Sequence, residues 1–138
     1  MKTARDIMTK NLKTVTTTEQ IVNVGKMLTQ HSIRHALVVD VANGKLMGIV
    51  SDRDIKKFIS PFVGSPRESE QDKATLYIQV GKIMTKDVVT VESTAELKQI
   101  AEIMVTKKIN AVPVIDEDGK ATGLITTTDM LRQMIGML

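Results

Sequence analysis

Residues Ser51-Asp52-Arg53-Asp54 return as Thr126-Thr127-Thr128-Asp129. In both places a hydroxyl is followed three positions later by a carboxylate, where an apolar run ends and a helical pattern begins. Backbone N–H groups at the start of a helix lack partners and lie at the positive end of its dipole, so an anion such as phosphate is favoured there. An ionised carboxylate has acceptor sites only, so one aspartate can take hydrogen bonds from both hydroxyls of a vicinal diol, as in a ribose. The same spacing also writes a capping box, in which hydroxyl and acid satisfy the N–H groups of the first turn. Recurrence behind a glycine-containing hairpin in both places weights the binding reading over the purely local one.

The recurrence is part of a longer repeat, which is sought before local structure. Ile7-Met8-Thr9-Lys10 returns 76 positions on as Ile83-Met84-Thr85-Lys86, and Thr14-Val15, Thr18, Ile33, Val38 and Asp40 have counterparts at the same shift. One residue is then lost, and Gly44-Lys45, Gly48 and Asp54 face Gly119-Lys120, Gly123 and Asp129. The chain therefore divides into a first copy over 1–59, a connection over 60–79 and a second copy over 80–138.

Each copy reads β-α-β-β-α, preceded by a short helical turn at TARDIM or VGKIMT. An extended segment near Val15, or over 88–91, leads to a helix. In the second copy Ser93 and Glu96 are spaced as a capping box, and Leu97, Ile100, Ala101 and Met104 recur on one face. In the first copy Thr17 or Thr18 is expected to cap a helix with Ile21, Val24 and Leu28 on its apolar stripe. The strands 36–39 and 46–50, then 112–115 and 121–125, flank Asn43-Gly44 and Asp118-Gly119, which suit turns with positive φ. A final helix follows at Ser51 or Thr126. The connection SPFVGSPRESEQDK has Pro, Gly, Ser and charge without periodicity and is expected to have limited order.

IMT at the head of each copy, IRHALVVD and INAVPVID before each turn, and GIVSDRD and GLITTTD after it together resemble the tandem cystathionine β-synthase (CBS) domain, whose pairs are called Bateman modules. The resemblance covers nearly the whole chain. It implies an α/β (α+β) fold of two motifs about a pseudo-twofold axis, with abutting sheets and two equivalent clefts. It also implies sensing of an adenosine ligand rather than catalysis. Carried over by position, one cleft joins Ile49, Ser51, Arg53 and Asp54 to Val89, Ile109, Asn110, Ala111 and Pro113. The other joins Leu124, Thr126, Thr128 and Asp129 to Lys13, Ile33, Arg34 and His35. Aliphatic residues, Ile33 and Ile109 first among them, can cover the faces of adenine while backbone groups pair with its polar edge. Lys13, Arg34 and His35 replace Val89, Asn110 and Ala111, so the Asp129 cleft is expected to hold the more phosphorylated ligand. Leu37 departs from the Pro113 pattern.

Charge distribution agrees with a local anion site. The net charge is +3, yet residues 1–59 hold ten Lys and Arg against five Asp and Glu, and the two later stretches are each −1. That excess is modest for neutralising many phosphates, and Phe58, Phe62 and Tyr77 leave few rings for stacking bases, so nucleic acid is not an expected partner. Cysteine is absent, hydrophobic residues make up 42% and charged residues 25%. These values, with no long apolar run or readable leader, suggest a cytoplasmic protein without disulfides or membrane spans. His31 and His35 are four apart, but the helical pattern ends between them, and Asp116-Glu117-Asp118-Gly119 lacks the later ligands of a calcium loop. No nucleophile elbow, Walker A loop or GxGxxG run is present, so no enzyme is expected.

In MLRQMIGML, Met130, Met134 and Met137 form one helical stripe and Leu131, Ile135 and Leu138 the next. This apolar face is wider than one domain's core requires, which points to a homodimer through helices, in agreement with the resemblance. The expected function is a regulatory module that binds AMP, ADP, ATP or S-adenosylmethionine, holds no tightly bound cofactor and admits magnesium alongside ATP. It would signal to an unnamed effector by changing the arrangement of its motifs or dimer. The alternatives are a nucleic-acid-binding protein using the basic first half and a purely structural dimerisation module.

Overall fold

The computed structural model describes residues 2–138. In chain order the elements are α1 (Ala4–Ile7), β1 (Thr14–Thr16), α2 (Ile21–Gln30), β2 (His35–Val39), β3 (Leu46–Ser51), α3 (Asp52–Phe58), α4 (Glu70–Ala74), α5 (Leu97–Lys107), β4 (Ala111–Ile115), β5 (Ala121–Thr126) and α6 (Thr127–Met137). They pack as two compact units: a middle unit, Lys13–Asp87, and a terminal unit made of the chain up to Leu12 together with Val88–Leu138.

In the middle unit β1 runs parallel to β2, and β2 pairs antiparallel with β3 through a register that sets His35 opposite Ser51. Gly44 turns the hairpin at φ 72° and Gly119 its counterpart at 79°, a region where a side chain would be strained. Ile21, Val24 and Leu28 of α2 fall at helical spacing and are buried against Ala36, Val38, Val50, Ile55 and Val80. A fully buried aliphatic side chain of this size contributes about 1.5–3 kcal/mol of transfer free energy. In the terminal unit β4 and β5 form the equivalent hairpin, over a core of Ala4, Val91, Ile100, Met104, Val112, Val114 and Ile125. The extended segment expected at 88–91 shrinks there to one parallel bridge, Val91 to Val114.

Helices α2 and α5 begin later than their hydroxyls suggest. The N-cap of α2 is Gln20, not Thr17 or Thr18, and that of α5 is Glu96, so Ser93 makes no capping box with it. The cause is tertiary. Gln20 bridges Gln79 and Glu96 bridges Thr3, and this strand-like pairing keeps both residues extended until the helix can start. Ile21 N donates to Ile78 O at 2.8 Å and Ala4 N to Ala95 O at 2.8 Å, which closes the same joints.

These bridges belong to an exchange of segments. The IMT of the first copy lies on the hairpin of the second, with Thr9 and Leu124 exchanging N–H···O bonds of 2.9 and 3.0 Å. The IMT of the second copy lies on the hairpin of the first, where Thr85 and Ile49 exchange bonds of 2.9 and 3.1 Å. Each unit thus contains an arm from the opposite repeat.

The connection is more ordered than its composition suggests. The Ser60 hydroxyl donates to Asp72 Oδ1 at 2.6 Å, Ser60 N donates to Thr75 Oγ1 at 2.9 Å, and Ser69 and Asp72 form a capping box on α4. The Ser60 hydroxyl foremost, then the Ser69 N–H and hydroxyl, hold the Asp72 carboxyl below its ordinary value. Along α6 Met130 packs on the core, while Leu131, Met134, Ile135, Met137 and Leu138 are exposed.

Candidate functional site

β3 delivers Ser51 to the N-cap of α3, and β5 delivers Thr126 to the N-cap of α6. Ser51 N donates to Asp54 Oδ2 at 2.9 Å while Asp54 N donates to Ser51 Oγ at 3.1 Å. In the other unit Asp129 Oδ2 accepts from Thr126 N at 2.8 Å and from Thr126 Oγ1 at 3.0 Å. The capping reading of the motif is therefore realised in both places, and Thr3/Asp6 and Ser69/Asp72 close the same box elsewhere.

What remains for a ligand is the other carboxylate oxygen. Among the described residues the Asp54 carboxylate accepts one hydrogen bond, on Oδ2, which leaves Oδ1 with its acceptor sites. Asp129 Oδ1 lies 3.5 Å from Nη1 of Arg132, whose side chain is 72% exposed and so free to swing aside. Asp129 itself is 9% exposed and is the buried charged residue among those described. Burial of a carboxylate is tolerated when its oxygens are paired, as these are.

The middle unit also brings Arg34 and His35 to its own Ser51 and Asp54. Asp52 N donates to Arg34 O at 2.9 Å, and His35 stands opposite Ser51 across the hairpin. Burial pushes the His35 imidazole below its ordinary value of 6.5, Asp52 and Asp54 act in the opposite direction, and Arg34 adds to the depression. In the terminal unit Thr127 N donates to Asn110 O at 2.9 Å and Ala111 stands opposite Thr126. The antiparallel register over a short turn is the sequence signal for these two pairings, because a hairpin necessarily joins its first residue to its last. Arg132, on α6 one turn after Asp129, carries no sequence signal beyond that of an ordinary surface charge.

The other expected site residues distribute as follows. Ile33 and Ile109 are half-buried and pack against the cores of the middle and terminal units respectively. Lys13 O accepts from Leu37 N at 3.2 Å, Leu124 and Ile49 take the arms, and Arg53, Thr128 and Asn110 are exposed. Ala111 and Pro113 are buried on β4 and Val89 is half-buried. His31 caps the end of α2 and His35 begins β2, so the two imidazoles share no helical face.

A family model described as CBS domain matches residues 4–61 and 80–136. The chain is a pair of CBS domains. The pair is 31% identical over 135 residues to a CBS domain-containing protein of Dictyostelium discoideum, covering 97% of this chain and 92% of that one. It is also 31% identical over 128 residues, 92% of its length, to protein MJ1225 of Methanocaldococcus jannaschii, of which it spans 45%. Among solved structures it is similar to the CBS domain pair of protein MJ0100 in complex with 5′-methylthioadenosine and S-adenosyl-L-methionine. That similarity has a TM-score of 0.82 and 27% identity, over 100% of this chain and 99% of that one. CBSX2 in complex with AMP matches at TM-score 0.82 and 25% identity, over 99% and 98% of the two chains. The mixed α/β fold of this CBS pair is thus that of known CBS domain pairs. Among the described residues no helix is long and apolar enough to cross a membrane.

Proposed function

We propose that this CBS pair is a regulatory module that binds an adenosine-containing ligand, with Asp54 and Asp129 each receiving a ribose diol. The observation that carries the reading is the oxygen left over at each capping box: among the described residues Oδ1 of Asp54 accepts no hydrogen bond, and Oδ1 of Asp129 faces the exposed Arg132. It is supported by the resemblance to pairs solved with 5′-methylthioadenosine and S-adenosylmethionine and with AMP. Aliphatic residues, Ile33 and Ile109, cover adenine, and Ile49, Leu124, Val89, Ala111 and Pro113 complete its surroundings.

The charge within each unit supports a ranking other than the expected one, which gave the more phosphorylated ligand to Asp129. Arg34 and His35 flank Ser51 and Asp54 within one unit, whereas Asn110 and Ala111 occupy the same places beside Thr126 and Asp129. The phosphate-bearing end of a nucleotide accordingly belongs with Asp54, and the Asp129 site suits an adenosine compound with little anionic charge. Lys13 and Arg53 add to the positive field, and magnesium enters only with a triphosphate. The exposed apolar residues of α6 support a homodimer, and an effector protein would read the ligand-dependent state. A ligand biases such a state only through its differential affinity for the two arrangements.

Thermal unfolding with AMP, ADP, ATP, S-adenosylmethionine and 5′-methylthioadenosine tests this directly. A compound at 100 times its dissociation constant stabilises by about 2.7 kcal/mol. Asp54→Ala is expected to abolish the AMP response and Asp129→Ala that of 5′-methylthioadenosine, with 2′-deoxyadenosine compounds inert throughout. Absence of any shift with all five compounds would sink the proposal, and a response confined to duplex DNA with steep salt dependence would replace it.

A further inference from the structure

The arms of the two units are held by matching backbone bonds. Val80 N donates to Glu19 O at 2.7 Å and Gly81 N to Thr17 O at 2.9 Å; Ala4 N donates to Ala95 O at 2.8 Å and Arg5 N to Ser93 O at 3.0 Å. Gly81 therefore occupies the place of Arg5, and Lys82 that of Asp6. In the terminal unit the Arg5 side chain lies over Ser93, with Nη2 donating to Oγ at 3.3 Å, and Asp6 folds back to cap α1. In the middle unit the guanidinium is missing and the acid has become a base. A groove of about 530 Å³ lies there, bordered by Gly81, Thr17, Met47 and Met84, with Lys82 and Lys86 on its wall and no acidic side chain lining it.

We propose that this groove binds a small organic anion. Its carboxylate or phosphoryl head pairs with Lys82 and Lys86, and a compact apolar arm lies over the thioethers of Met47 and Met84. Ammonium groups supply the charge recognition, and flexible methionines adapt to the shape of an apolar arm. Gln79, at the same wall, offers an amide to the head group. The groove sits where Thr85 is bonded to Ile49 of β3, two residues before Ser51, so an occupant clamps the arm to the strand that positions the α3 cap. It is independent of the adenosine reading, because none of its lining residues is among those assigned to adenosine.

The test titrates the full chain with hexanoate, hexyl phosphate and, as the neutral control, hexanol, following amide resonances of Thr17, Gly81 and Met84. Saturable shifts with one or both anions and none with hexanol are expected, and the anion that saturates first identifies the head group. Lys82→Asp, which restores the charge carried by the other copy, is expected to weaken anion binding about tenfold. Gly81→Arg refills the space, but a Cβ at 81 would stand 2.9 Å from Thr17 O, so Lys82→Asp at an exposed site keeps the test sound if that variant unfolds. No saturation by about 10 mM of either anion, equal response to hexanol, or an unchanged Lys82→Asp titration overturns the proposal. So does loss of the response in the Asp54→Ala/Asp129→Ala chain, which would place the anion in the adenosine site instead.

Discussion

Gly48 and Gly123 occupy equivalent places on β3 and β5, yet alanine should cost more at Gly48 than at Gly123. A Cβ at Gly48 would stand 2.6 Å from Met84 Sδ and 2.7 Å from the carbonyl oxygen of Thr85. That oxygen accepts from Ile49 N at 3.1 Å, so relief requires moving the backbone of the arm and loosening both bonds of the Ile49–Thr85 bridge. Overpacking of this kind costs about 1–3 kcal/mol and a weakened hydrogen bond about 1 kcal/mol, so Gly48→Ala should lose about 2–4 kcal/mol. At Gly123 the three atoms nearest a Cβ all belong to the side chain of Met8: Sδ closest, then Cγ at 2.6 Å and Cβ at 2.9 Å. Rotamer change can move Sδ and Cγ but not Cβ, which needs a small shift of the arm, so about 1–2 kcal/mol is expected there.

Urea unfolding followed by circular dichroism measures both, with second variants that separate the causes. Trimming the opposing side chain should rescue Gly123→Ala in part in the Met8→Ala background, which removes the Sδ and Cγ contacts and leaves the Cβ contact at 2.9 Å. Met84→Ala should not rescue Gly48→Ala, since the Thr85 carbonyl stays in place. Equal losses at the two glycines, or rescue at Gly48, would refute the assignment of the cost to the arm's backbone.

Four further outcomes follow from the same geometry. Lys108 caps α5 at φ 56°, so Lys108→Gly should stabilise by about 0.5–1 kcal/mol in urea, and a destabilised variant would show that the cap is not strained. His35 is held below its ordinary 6.5 by burial, so the unfolded chain binds the proton first; its contribution is present above about pH 6.5 and is lost as pH falls toward the lower folded value. The difference in unfolding midpoint between native protein and His35→Gln should therefore change between pH 8 and pH 5, and parallel pH profiles would count against it. Arg132→Gln should leave stability within about 0.5 kcal/mol, as exposed ion pairs do, and a larger loss in the same titration would mean that Asp129 depends on its partner. A fragment of residues 13–87 should show cooperative unfolding, whereas residues 1–59 should not, because they lack Val80 and the arm that completes that core.

The hairpins, their glycine turns and the buried faces of α2 and α5 were legible because each is written locally, in turn residues and in apolar spacing. The two hydroxyl–acid motifs were legible for the same reason, and so was their ambiguity, since the capping box and the leftover oxygen coexist in one carboxylate. What could not be read was the partner of each arm. A repeat shift says that Met8 resembles Met84, but not whether Met8 lies on Gly48 or on Gly123. The helix starts at Leu97 and Ile21 were misplaced for that reason, the arms having kept Glu96 and Gln20 extended against their caps. The order within 60–79 was hidden in side-chain bonds such as that of Ser60 to Asp72, which composition cannot express.

The exchange of arms bears on how binding at either carboxylate would be felt. Ser51 begins its helix at the end of a strand that Thr85 pairs with, and Thr126 at the end of a strand that Thr9 pairs with. A hydroxyl–acid cap that tightens on a diol restrains the last residues of its strand, and the restraint passes along a backbone ladder only two residues long before it reaches an arm. That arm belongs to the opposite repeat. Under the proposed binding, local ordering at Asp54 would pass to residues 79–86 and at Asp129 to residues 3–9, the arms that one repeat lends to the other's fold. The groove beside Gly81 is built on one of these arms, and at the equivalent place in the other unit the Arg5 side chain bonds to Ser93, so an anion bound at Gly81 would act on the Asp54 side.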